Sequence, residues 1–263
     1  LISGFNQLFS SGQGLTGFST VTSTNAVVAS DIPLDSAGLP FPPRNGSFQI
    51  QLYNTQTGTI RTYTIRVDLL GHTPKTTLKD IADQINAIDG LSASIDAGGR
   101  LTIRSTSSDQ VFAFANDTSG LLASLGINTF FTGSNAGNIG INPVVASDPS
   151  KFAASRGGIG ADTQLAEELA GFGDKPLDDY GGLSLHELYD RMVAEVTQGS
   201  AIAKAEADSA RTFENTLRGQ KLAVSGVNLD EEVVKLIAYQ RQFQVSARFI
   251  KTLNDLIEIL VSI

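Results

Sequence analysis

Few side chains in this 263-residue chain are equipped for chemistry. With 2 histidines, His72 and His186, and no cysteine, at most two imidazoles and no thiolate serve as metal ligand, base or nucleophile, and a disulfide framework is excluded. Adjacent carboxylates occur at Glu167-Glu168 and Asp178-Asp179. Acid and base roles need surroundings that drive two pKa values apart. Neighbours in sequence point apart on a helix or into water on a loop, so both pairs read as solvated. His186 beside Glu187 reads as an exposed helical histidine, and His72, beside Gly71 and before Pro74, as a turn residue. The Gly157-Gly158-Ile159-Gly160 cluster lacks the Lys-Ser/Thr ending of a phosphate loop and the G-x-G-x-x-G spacing, so it reads as a connection. Tyr53 and Tyr63 on a hairpin could stack a sugar or a base, with cross-strand packing as the ordinary alternative. An excess of 27 acidic over 19 basic residues, a net charge of −8, offers no field for nucleic acid. Arg211, Arg218, Lys221, Arg241, Arg248 and Lys251 alternate with acids and read as solvated helix faces and inter-helix pairs. No catalytic residue, cofactor or metal is expected.

The elements around these residues fall into two compositional halves. Thr, Ser, Gly, Asn and β-branched residues dominate up to about residue 147, and Ala, Leu, Glu, Lys and Gln from about 184. Phe48, Ile50 and Leu52 alternate with polar residues, as do Tyr63, Ile65, Val67 and Leu69 after a turn at 54–58, which predicts a hairpin with one wet face. Leu78, Ile81, Ala82, Ile85 and Ile88 recur at helical spacing behind a Thr76 or Thr77 cap, with Asp89-Gly90 as the stop, giving one short covering helix. Residues 91–95 and 101–104, joined through Asp96-Ala97-Gly98-Gly99, predict a second hairpin. Val111, Phe112 and Phe114 suggest a further strand, and Leu121, Leu122 and Leu125 a helical turn. Prolines at 33, 40, 42 and 43 make 29–46 an irregular linker or lid. Glycine-rich 148–183 is expected to wrap without a core of its own. The fold class is therefore α+β, a β-rich outer domain with a short covering helix plus a long helical rod and coiled-coil C-terminal region. The expected divisions are 17–147, the α+β domain; 148–224, connector and long rod helix; and 225–263, the C-terminal helix, with 1–16 preceding them. An apolar content of 41% suffices for a core, and no apolar run reaches the length of a membrane span.

The two helices are marked by their ends. Ser184 with Glu187 forms a capping-box pattern that opens a helix of about 60 Å at 1.5 Å per residue. Gly199 is the place for a bend, and Ser225-Gly226 the stop, with glycine taking the left-handed C-cap conformation. Asn228 then caps a second helix whose first turn holds Asp230, Glu231 and Glu232. Along it Val233, Leu236, Gln240, Phe243, Ala247, Ile250, Asn254, Ile257 and Val261 step alternately by three and four, the spacing of a coiled-coil seam with two polar members. Val234, Ile237, Val245, Phe249, Leu253, Leu256 and Leu260 flank it. So broad an apolar surface exceeds what one helical partner covers, and it predicts an assembly interface.

Three segments also carry a resemblance. The run Ser225-Gly226-Val227-Asn228-Leu229-Asp230-Glu231-Glu232, followed by Tyr239-Gln240 and by Phe243 to Ile250, resembles the C-terminal signature of the flagellar hook-associated protein 1 (FlgK) family. Residues 125–136, then Ile139, Ile141-Asn142-Pro143 and Asp148-Pro149, look like that family's exit from its β-domain. The stretch from Thr77 to Ala87, followed by Gly99-Arg100-Leu101-Thr102-Ile103, is similar to the flagellar hook IN motif. The resemblance implies a fragment lacking the N-terminal region of an extracellular structural subunit that joins hook to filament, with 1–16 as the remnant of an N-terminal helical rod region. It implies export by the flagellar type III system without a cleaved signal peptide. Implied partners are neighbouring copies of the chain, hook protein, the next hook-associated junction protein and a type III export chaperone at the C-terminal helix, with no nucleic acid and no membrane span. Phe243 stands where the family commonly has Tyr. The alternatives are another axial protein of hook or rod type, an adhesin-like module using Tyr53, Tyr63 and the Pro40 to Arg44 loop, and an enzyme in the β-domain using Asp68, His72 and Asp80.

Overall fold

The computed structural model describes residues 1–71, 74–177, 180–226 and 228–261. The readings of His72 and of Asp178-Asp179 therefore concern positions outside the described residues. The chain divides into two units, Leu1–Asp190 and Arg191–Ile263. Its class is α+β.

In the first unit six strands form two antiparallel sheets. The strands are β1 (Thr20–Thr22), β2 (Gly46–Asn54), β3 (Ile60–Val67), β4 (Leu91–Ile95), β5 (Leu101–Ser105) and β6 (Gln110–Ala115). One sheet has the order β3-β2-β6 and the other β1-β5-β4. Both predicted hairpins are present, with Phe48 opposite Ile65 and Ala93 opposite Ile103. Asn54 accepts from the backbone N–H groups of Gln56 and Thr57 to close the first turn, and Asp96 from those of Gly98 and Arg100 to close the second. Phe18 exchanges two backbone hydrogen bonds with Phe112 of β6, and Ser19 then accepts from Ser105, so residues 18–22 pass from one sheet to the other.

Helix α2 (Leu78–Asn86) covers the opposite opening, capped by Thr77, whose side chain accepts from Asp80 N–H while the Asp80 carboxylate accepts from Thr77 N–H. It ends earlier than Asp89-Gly90 because Ala87 caps it, and Gly90, at φ 98°, makes the turn into β4. Leu78, Ile81 and Ile85 are fully buried with Phe48, Ile50, Leu101, Ile103, Phe112 and Phe114. The proline-rich linker is irregular, as read, and it also reaches into the interior, where Leu34 and Ala37 are buried.

A second core corrects the expectation that 148–183 has none. Helix α1 (Ile2–Ser10) buries Leu8 and Phe9 against Val145 of α4 (Pro143–Ser147), Ala153, Leu165 and Leu169 of α5 (Gln164–Ala170), and Phe172. Its centre is aromatic: Phe9 lies 5.3 Å from Phe152 and 5.6 Å from Phe130, and Phe5 lies 5.3 Å from Phe172. Edge-on aromatic pairs at such separations add to the burial of area. Helix α3 (Leu121–Leu125) and the short pair β7 (Phe131–Thr132) and β8 (Gly140–Ile141) complete the unit.

Entry and exit of the sheet region run side by side. Gln13 and Ser155 exchange backbone hydrogen bonds, and Ser150 O accepts from Leu15 and Thr16. Lys151 Nζ donates to Gly17 O and sits 4.9 Å from the centre of the Phe18 ring. Gly14 permits this approach, since a Cβ there would lie 2.4 Å from Ser150 O.

Several carboxylates fasten the first unit while ionised. Arg156 holds Glu168 below the ordinary carboxylate range through contacts of 2.5 Å. The backbone N–H groups of Arg156, Gln164 and Gly157 do the same for Asp162, the Ser150 hydroxyl for Asp148, Lys75 for Asp35, and Ser184 N–H for Glu187. A folded-state pKa below the unfolded one contributes stability above the usual carboxylate range, and that contribution disappears as pH falls through the depressed values. Thermal melts followed by circular dichroism should therefore show a midpoint constant from pH 7 to 5 and falling below about pH 4. A midpoint that rises in acid would contradict these assignments.

The second unit contains most of α6 (Leu185–Ser225) and all of α7 (Leu229–Val261). The start of α6 is the expected capping box: Glu187 N–H donates to Ser184 Oγ at 3.2 Å and Ser184 N–H to a Glu187 carboxylate oxygen at 2.7 Å. The helix continues through Gly199, where a bend was expected, without a break.

Candidate assembly interface

The termini of α6 and α7 are set locally. α6 stops at Ser225, as predicted, but Gly226 is not left-handed. Glycine is required there for space: Gly226 N–H donates to Leu222 O at 2.6 Å, and a Cβ would stand 2.2 Å from that oxygen. Asn228 Oδ1 accepts from Asp230 N–H at 3.1 Å and Asn228 O from Glu232 N–H, and three acids occupy the first turn of α7. Negative charge at this end complements the helix dipole. Pairs Glu232–Lys235, Asp208–Arg211 and Glu214–Arg218 lie along single helices.

All nine predicted interface residues fall on α7, and every described residue from Arg191 to Val261 is exposed. Val233 is 53% exposed, Leu236 63%, Phe243 76%, Ile250 59% and Ile257 57%. Leu229 stands four residues before Val233 and extends the row by one position. Counting backwards through the same three-four alternation finds it. On a straight helix a strict 3.5-residue row drifts by about 20° per heptad, so from Val233 to Val261 it turns by roughly 80°. A second row begins in the C-terminal half: Phe249, Leu253, Leu256 and Leu260 step by four, three and four beside the first. The second half of α7 therefore carries two rows side by side, whereas in the first half the flank is sparser, with Val234 and Ile237 beside the first row. Gln240 and Asn254 sit in the first row, where a polar residue selects register at a cost in stability.

The other candidate residues do not converge. Tyr63 shares a sheet face with Ile65 and Val67, whereas Tyr53 follows Gln49 and Gln51 on the opposite face, so they form no common platform. A cleft of about 910 Å³ is lined by Phe41 to Arg44 but by neither tyrosine. Asp80 caps α2 and Asp68 accepts from Leu70 N–H, so both proposed β-domain carboxylates have local structural roles. His186 is exposed, with Nδ1 2.9 Å from Asp174. Glu168 is committed to Arg156, and the Gly157 to Gly160 turn is held by Asp162 with no strand leading into it. Among the described residues no group of three or more metal-ligating side chains gathers, and no described helix is long and apolar enough to cross a membrane.

Comparison with known proteins bears on both units. Residues 218–263 match the model of the flagellar basal body rod FlgEFG protein C-terminal family, and residues 49–107 that of the flagellin hook IN motif. The chain is similar to flagellar hook-associated protein 1 of Escherichia coli (strain K12), 26% identical over 169 residues, covering 59% of this chain and 31% of that protein. Flagellar hook-associated protein 1 of Salmonella typhimurium is 30% identical over 83 residues, 32% of this chain and 15% of that protein, and that of Salmonella typhi matches equally. The matches thus take in about a third or less of these relatives' own length.

Proposed function

We propose, from the premise that this chain is a homologue of flagellar hook-associated protein 1 over part of its length, that it is a structural subunit of the bacterial flagellum. It stands outside the cell at the junction of hook and filament and performs no catalysis. The observation that carries this reading is the largely apolar row of α7, interrupted only by Gln240 and Asn254 and exposed along its whole described length inside the segment that matches the axial C-terminal family. In the assembled tube 225–263 docks through Val233, Leu236, Gln240, Phe243, Ala247, Ile250, Asn254, Ile257 and Val261. Residues 148–224 and 1–16 belong to the rod beside it, and 17–147 faces solvent. The partners are neighbouring copies, hook protein, the next hook-associated protein and, before assembly, an export chaperone on α7. Burying each large apolar side chain contributes about 1.5–3 kcal/mol, so a few such residues suffice for stable docking. A hook or rod position is disfavoured because similarity to hook-associated proteins extends well beyond the shared C-terminal segment. The opposed faces of Tyr53 and Tyr63 deprive the adhesin reading of a shared aromatic platform.

The test is co-sedimentation with polymerised hook protein. The full chain is expected to pellet with the polymer, and the double variant Ile250→Asp, Ile257→Asp to stay in solution with an unchanged melting curve for the first unit. Equal pelleting of both proteins, or of neither, would overturn the reading.

A further inference from the structure

β3 and β4 are outer strands of the two sheets of the first unit, and both edges are sealed by side chains of one helix. Arg66 of β3 gives its N–H to Gln84 Oε1 at 2.9 Å and takes Gln84 Nε2 on its carbonyl at 3.1 Å. Ala93 of β4 gives its N–H to Asn86 Oδ1 at 2.7 Å and takes Asn86 Nδ2 on its carbonyl at 2.9 Å. A carboxamide carries one acceptor and two donors, so it can replace the peptide group of a missing neighbour strand. Residues two apart on a helix diverge by about 200°, which lets α2 reach an edge on each side while Ile81 and Ile85 enter the core between them. At the other side the sheets are already joined by backbone, through residues 18–22. The helix thus links the free β3 edge of one sheet to the free β4 edge of the other.

Unpaired edges are templates for strands of other molecules. The β4 edge is well suited to this: Leu91-Ser92-Ala93-Ser94-Ile95 has no charge and no proline, and an antiparallel copy of itself meets no repulsion. We propose that α2 is an edge guard: the amides of Gln84 and Asn86 occupy the two sheet edges and deny the β4 edge, and the Arg66 end of β3, to a strand from a second copy of this chain. The inference concerns the first unit alone and stands apart from the role of α7.

The test uses the full chain with Asn86→Ala and with Gln84→Ala, Asn86→Ala. Alanine favours helix, so α2 is retained. To remove association through α7, each is also made with Ile250→Asp and Ile257→Asp. Amide exchange followed by NMR should show Ala93 exchanging at least tenfold faster in Asn86→Ala, with Ile103, its partner on β5, unchanged. Sedimentation velocity should show the Gln84→Ala, Asn86→Ala variant forming dimers and larger species as concentration rises, in both backgrounds. Should it not fold, the single variant still decides through exchange at Ala93. Unchanged exchange at Ala93, or association that vanishes with the aspartates in α7, would overturn the proposal.

Discussion

Asp117→Ala is expected to destabilise the first unit by about 4 kcal/mol, because it orphans three buried backbone donors at about 1–3 kcal/mol each. The Asp117 carboxylate accepts from the N–H groups of Ser119, Gly120 and Leu122 and from the Ser119 hydroxyl. It thereby caps α3, which begins after left-handed Gly120 and offers no cap of its own. Alanine leaves the N–H groups of Ser119, Gly120 and Leu122, three buried residues, without the acceptor that the carboxylate supplies. Urea unfolding followed by circular dichroism measures the loss, and a change below about 1 kcal/mol would show that these donors find other partners. The pH dependence provides a second check. Burial pushes the Asp117 carboxyl up from its ordinary value against the pull of its donors. A raised folded-state pKa favours the folded chain in acid, and that contribution fades as pH rises through the folded value. Asp117 therefore opposes the acid loss caused by Glu168, Asp162 and Asp148. In Asp117→Asn the opposing contribution is gone, so stability relative to its own neutral value should fall more steeply in acid than in the unsubstituted chain.

Features written in short stretches were legible in the sequence. Ser184 with Glu187, Asn228 with the acids after it, and the alternation along β2 and β3 each involve residues within a few positions of one another. Local propensity and local hydrogen bonding are enough to decide them. The apolar row of α7 was legible for the same reason, since helical spacing brings its members to one side whatever surrounds the helix.

What escaped depends on contacts distant in sequence. The aromatic core beneath α1 gathers Phe5, Phe9, Phe130, Phe152 and Phe172, which stand singly among polar and glycine-rich residues. No periodic window reports such a cluster, and the glycines nearby suggested a coreless wrap. The amide seals were equally silent: Gln84 and Asn86 look like ordinary polar positions of an amphipathic helix until Arg66 and Ala93 are found opposite them. Gly226 was placed correctly for a different reason than the one that holds, a close carbonyl in place of a left-handed turn. The glycine is conspicuous in the sequence, whereas what it makes room for is decided by the Leu222 carbonyl.

The two rows of α7 predict how many helices it engages. If the C-terminal half met a single helix, that helix would cover Ile250 and Ile257, and Leu253→Asp with Leu260→Asp would change little. With two helices docked, the second covers Phe249, Leu253, Leu256 and Leu260. Burying two leucines contributes roughly 3–6 kcal/mol, and placing carboxylates in that contact adds a desolvation cost. Each 1.4 kcal/mol is tenfold in affinity, so the leucine-row double variant should bind its polymeric partner at least about 100-fold more weakly. That is comparable to the loss from Ile250→Asp with Ile257→Asp. Glu232→Gln with Lys235→Gln, on the charged side of the first turns, is the control and should bind within about threefold of the parent, an exposed pair being worth at most about 1 kcal/mol. Quantitative co-sedimentation separates the cases. Equal losses from both rows mean that the helix is wedged between two neighbours in its last three turns. A loss confined to the isoleucine row means a single partner, and the leucine row then faces solvent in the assembly.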